Sequence, residues 1–104
     1  MAIAQVSITP LGTGSPSVSK YVANCHKVLE DLPDITWRLT PMATVLEGDL
    51  DLILQAVRRM HEVPFEEGVL RVSTLIKIDD RRDKKGTMNG KMDSVLTKLK
   101  PSRD

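Results

Sequence analysis

Between Ala2 and Pro10 polar and apolar positions alternate, with Ala4, Val6 and Ile8 on one side and Ile3, Gln5, Ser7 and Thr9 on the other. A period of two marks a strand with one buried face, and here the second face is unusually polar. LGTGSP (Leu11 to Pro16) is a turn by its glycines and proline, and Ser17 stands where a helix cap belongs. Val18, Val22, Cys25, Leu29 and Leu32 then recur at helical steps, which predicts an amphipathic helix closed by Pro33. ITWRLT (Ile35 to Thr40) and MATVLE (Met42 to Glu47) read as two strands around a bend at Pro41. Asp49 caps a second helix with its apolar stripe at Leu50, Ile53, Val57 and Met60, and Pro64 and Gly68 mark its exit loop. Val69 to Ile78 is the longest strand candidate, with Leu70, Val72, Thr74, Ile76 and Ile78 facing one way and Arg71, Ser73, Leu75 and Lys77 the other. A charged connector follows over 79–86, and Met88, Met92, Val95 and Leu99 return at helical spacing, so a last helix is expected at about 87–99.

Strand, helix, strand, strand, helix, strand is the order of the ferredoxin-like split βαβ unit. The fold class expected is therefore α+β: a βαββαβ sandwich, with a four-stranded antiparallel sheet, two helices on one face and an extra C-terminal helix. A single domain over 1–104 with its core in 2–78 follows. In this topology the first and third strands are central and one sheet face is bare. The reading places Gln5, Ser7, Thr9, Met42 and Thr44 in the middle of that bare face, together with Ile3, Trp37 and Leu75. Such a face is too apolar to be left to water and too polar for a core, so another subunit is the expected cover.

Composition narrows the function. Across 104 residues, 40% are hydrophobic and 28% charged, the balance of an ordinary globule, and 15 Lys and Arg against 14 Asp and Glu leave a net charge of +1. Nothing there draws the chain to nucleic acid or to an anionic membrane. One cysteine and a start without a basic leader or long apolar run point to the cytoplasm.

The candidate chemistry is modest. Cys25 falls on the first helix's apolar stripe and reads as core rather than as a reactive thiol. His26 and His61 lie on different helices, with no metal spacing and no acyl-transfer arrangement, so no catalytic residue is assigned. GTGSPS opens a helix, and Thr13 and Ser17 there suit either a phosphate cradle or, more plainly, a strand-to-helix turn with its cap. The connector's Arg81, Arg82, Lys84 and Lys85 are interleaved with acids, as in a solvated loop or one that makes ion pairs. RNA-binding modules of this fold stack bases on aromatic rings, and Trp37, Tyr21 and Phe65 are too few to do so. Ser7, Thr9, Thr40, Thr44 and Ser73 are left as small hydroxyls able to orient a flat heteroaromatic ligand, or else to bond across a subunit interface.

VSITPLGTGSPSVSKYVA (Val6 to Ala23), LTPMATVLEGDLD (Leu39 to Asp51), RMHEVPFEEGVLRV (Arg59 to Val72) and IKIDDRRDKK (Ile76 to Lys85) together resemble the small thiamine-binding protein family, over nearly the whole chain. The family pattern has glycine where Ala43 stands. The resemblance implies a ferredoxin-like protein that packs sheet to sheet in dimers or tetramers. It also implies binding of thiamine or its hydroxymethylpyrimidine part, with no catalysis and no cofactor beyond that ligand. An aminopyrimidine suits the hydroxyls of Ser7, Thr40, Thr44 and Ser73, and the thiazolium cation wants a carboxylate or a ring face, for which Glu47 and Trp37 are candidates. Arg71 would oppose a cation unless Glu47 pairs with it. The alternative is a regulatory or structural oligomer with no small-molecule ligand.

Overall fold

The computed structural model describes residues 1–14, 19–83 and 88–99. In chain order the elements are β1 (Ala2–Leu11), α1 (Ser19–Glu30), β2 (Thr36–Leu39), β3 (Thr44–Gly48), α2 (Leu50–Glu66), β4 (Arg71–Asp80) and α3 (Met88–Leu99). The strands form one antiparallel sheet in the order β2-β3-β1-β4, so the fold is the α+β ferredoxin-like sandwich that the element order predicts.

Ala2, Ala4 and Val6 of β1 and Leu46 of β3 turn toward the helices and meet Cys25 and Leu29 of α1 and Ile53, Ala56, Val57 and Met60 of α2. These residues form the core. Their burial fixes the register, because one slip along β1 would turn Gln5 and Ser7 inward. On the open face β1 presents Ile3, Gln5, Ser7 and Thr9, β3 presents Val45 and Glu47, and β4 presents Arg71, Ser73, Leu75 and Lys77.

Several boundaries differ from the sequence reading. Met42 and Ala43 belong to the bend and not to β3, because Thr40 closes it: its hydroxyl donates to the Ala43 carbonyl at 2.7 Å and accepts from the Ala43 amide. α2 runs through Pro64 to Glu66, with Pro64 buried inside its last turn. Its end is a Schellman turn: the Gly68 amide donates to Phe65, the Val69 amide donates to Pro64, and Gly68 takes φ +92°. β4 correspondingly starts at Arg71 rather than Val69 and runs on to Asp80, taking in the first two acids of the expected connector. Arg81 pairs with Asp83 and Arg82 with Asp80.

Candidate functional site

Where β1 gives way to the glycine loop and α2 hands over to β4, the chain forms a cleft of about 490 Å³. That volume lies within the range of small-molecule sites. Leu11, Thr13 and Tyr21 line one side, Glu67, Leu70 and Arg71 the other, with Gly12, Gly68 and Val69 between. Three local features bring these together. The β1–β4 pairing sets Leu11 opposite Arg71, Gly12 turns the chain with φ +72°, and the Schellman turn places Glu67 at the end of α2. The Glu67 carboxylate accepts a hydrogen bond from the Asn24 side-chain amide, which ties it to α1. A carboxylate and a phenol ring attract a cation, while a hydroxyl and a guanidinium serve ring nitrogens or an anionic group.

The residues singled out in the sequence separate into distinct places. Thr13 and Arg71 line the cleft. Ser7, Thr9 and Ser73 lie outside the cleft on the open face, with Thr9 opposite Ser73 two residues along β1 from Leu11 and Ser7 opposite Leu75 four residues along. Ser17 falls outside the described residues. Thr40 is not on the open face but in the β2–β3 bend, where its hydroxyl closes the turn.

Thr44 and Trp37 face the opposite way from the reading. Leu46 is fully buried against the helices, and the two-residue period of β3 carries Thr44 inward with it. Thr44 pairs with Val6 and is 6% exposed, and its Oγ1 lies 2.8 Å from His26 Nε2. Trp37 pairs with Leu46, and its ring sits 4.9 Å from the His26 ring on the helix side. Met42 is 84% exposed at the bend. The open face thus keeps Ile3 and Leu75 of the four apolar residues expected there.

Glu47 does face outward, opposite Ile3. Arg71 is opposite Leu11, eight residues further along β1, which is about 26 Å of extended chain. The two cannot pair. Glu67 shares the cleft with Arg71 instead. Sequence spacing gave no sign of Glu67 or Tyr21; what joins them is the adjacency of the end of β1 and the start of β4, which only the strand order reveals.

His26 went unassigned in the sequence and proves to organise the helix side of the sheet. Burial pushes its pKa below the usual imidazole value. Beside it a cavity of about 30 Å³ lies between Val6, Ile8, Val22, Cys25, Thr44 and Met60, a water-sized space that excludes a six-membered ring. The thiol of Cys25 is pushed up to about 11, chiefly by burial and secondarily by the Glu67 carboxylate, so it stays protonated at neutral pH. Among the described residues no three His, Cys, Asp or Glu side chains gather as a metal site, and no helix is long and apolar enough to cross a membrane.

Residues 4–96 match the family model described as thiamine-binding protein. The UPF0045 protein YqgV of Bacillus subtilis is 49% identical over 104 residues, covering 97% of this chain and all of the relative. A crystal structure of a protein from Methanocaldococcus jannaschii superposes with a TM-score of 0.84 at 42% identity, covering 91% of this chain and 95% of that one. A Thermotoga maritima protein, to which a provisional role in thiamine biosynthesis or salvage is assigned, has the same fold: its TM-score is 0.73 at 14% identity, covering 90% of this chain and 97% of that one. The family model and the full-length relative together settle the family: the chain belongs to the thiamine-binding protein family.

Proposed function

We propose that the chain binds thiamine, or its hydroxymethylpyrimidine part, and holds it without transforming it. The receiving site is the cleft between the glycine loop, α1 and the start of β4. The family match over residues 4–96 carries this reading, and the chemistry of the cleft supports it. Glu67 and Tyr21 supply the carboxylate and ring face that a thiazolium cation needs, in place of Glu47 and Trp37. The Thr13 hydroxyl offers a donor and acceptor to the aminopyrimidine. Ser7, Thr9 and Ser73 add polar surface on the open face outside the cleft. A second copy laid over that face, in a dimer or tetramer, covers Ile3 and Leu75 and roofs this end of the site.

Calorimetric titration tests the reading. Thiamine is expected to bind with measurable heat, and at a hundredfold its Kd to stabilise the protein by about 2.7 kcal/mol. Glu67→Gln removes the negative charge and should weaken thiamine by roughly tenfold, the loss of a partly exposed charge contact. The same change should leave the uncharged hydroxymethylpyrimidine nearly unaffected. Absence of heat and of stabilisation at millimolar thiamine, with folded and ligand-free protein, would sink the proposal.

A further inference from the structure

The lining of the cleft carries one carboxylate, Glu67, and one guanidinium, Arg71, on either side of the turn at Gly68. They do not neutralise each other. Glu67 accepts from the Asn24 side chain, while the exposed Arg71 guanidinium has no ion-pair partner among the described residues. Free thiamine is a poor match for that pair of charges. Its thiazolium is drawn to Glu67 and repelled by Arg71, and a ligand seated in the cleft strips water from the guanidinium without giving it a partner. Uncharged hydroxymethylpyrimidine uses neither group. A ligand that carries both a fixed positive charge and an anionic group uses both.

We infer that the cleft selects thiamine bearing a phosphate ester on its hydroxyethyl arm, with Arg71 as the residue that sets the preference over free thiamine; this rests on the binding of thiamine proposed above and adds the form of the vitamin. A phosphate monoester carries about −1.5 to −2 charge at neutral pH, and a planar guanidinium grips two of its oxygens at once. Arg71 is the first residue of β4, opposite Leu11, so its backbone is fixed by the β1–β4 ladder on the far side of the cleft from Tyr21. The glycine loop leaves room for the group. No atom lies within 4 Å of where a Cβ would stand on Gly12, so a phosphate oxygen can approach the backbone there. Glu67 and Tyr21 then keep the thiazolium. The phosphate ester of hydroxymethylpyrimidine fits less well, because it brings an anion beside Glu67 and no cation to offset it. Inorganic phosphate has the anion but neither ring.

Calorimetric titration of the ligand-free chain with thiamine, thiamine monophosphate, hydroxymethylpyrimidine, its phosphate and inorganic phosphate tests the preference. Thiamine monophosphate should bind roughly tenfold more tightly than thiamine, and more tightly than either of the other two phosphates. Arg71→Gln should erase most of that ratio, by weakening the ester about tenfold and by letting thiamine bind somewhat more tightly once the repelling charge is gone. Arg71→Lys, which keeps the charge and loses the fork, should retain part of the ratio. Glu67→Gln should weaken thiamine and its monophosphate by similar factors. Circular dichroism of each variant confirms the fold. The inference is overturned, with the proposed binding of thiamine left standing, if the wild type takes thiamine as tightly as its monophosphate or if the ratio survives Arg71→Gln. A tighter grip on either of the other phosphates than on thiamine monophosphate overturns it in the same way. Failure of thiamine, its monophosphate and hydroxymethylpyrimidine all to bind overturns both readings together.

Discussion

Pro64 has no amide hydrogen, so the carbonyl of Met60, one turn back in α2, loses its helical partner. Cys25 of α1 supplies the replacement: its thiol donates to the Met60 oxygen at 3.4 Å in the core. Burial holds the thiol in its protonated, donating form. Cys25→Ala should therefore cost about 1–3 kcal/mol, the penalty of a buried carbonyl left unpaired, measured by urea unfolding. Pro64→Ala restores an amide at that position, so in its background the Cys25→Ala penalty should shrink by about 1 kcal/mol. A strictly additive double mutant would show that the two residues act independently. His26 gives a pH dependence. Burial lowers its folded pKa, so below about 6.5, its value when unfolded, the unfolded chain takes up more protons than the folded one. Its contribution is intact at pH 7.5 and is lost as pH falls through 6.5 toward the folded value. The stability of His26→Gln should accordingly fall less between pH 7.5 and pH 5 than that of the wild type.

The ends of α2 decide where the cleft residues stand. Asp49 opens the helix, accepting from the Asp51 amide through its side chain at 3.2 Å and from the Ile53 amide through its carbonyl at 2.9 Å. Gly68 closes it in a left-handed conformation that a side chain resists. Gly68→Ala should cost roughly 1–2 kcal/mol, and because Glu67 and Arg71 flank this turn, ligand affinity should fall with it; an alanine variant as stable as the wild type would contradict the turn geometry. Much of this element was legible in the sequence. The 3.6-residue stripe gave its buried face and Asp49 its start, but Pro64 read as a stop. It is tolerated because the core thiol compensates for its missing amide, a tertiary effect with no local trace. Along β3 the difficulty was parity: Thr44 is polar and read outward, yet Leu46 two residues on fixes it inward, and His26 satisfies its hydroxyl.

At the scale of the whole molecule, the strand order could be read because helices and strands alternate with clear periods, while the cleft could not, since its two sides lie more than forty residues apart in sequence and meet through β1–β4 pairing and the Asn24–Glu67 contact. α3 falls outside that logic. Every described side chain from Met92 to Leu99 is exposed, including Val95, Leu96 and Leu99. The radius of gyration, 16.0 Å, exceeds the ~13 Å expected of a compact chain of this length, consistent with a helix that projects from the sandwich. A twelve-residue helix is marginal alone in water, and an apolar side whose described residues stay exposed adds little to the stability of its own sandwich. Removing residues 84–104 should thus change the unfolding free energy of the dilute, dissociated chain by under ~1 kcal/mol. If α3 instead closes over a neighbouring copy, the wild type should gain melting temperature with protein concentration, as mass action requires, and the truncated chain should lose most of that gain. A truncation that unfolds the dilute sandwich outright would mean that α3 packs on its own chain in solution.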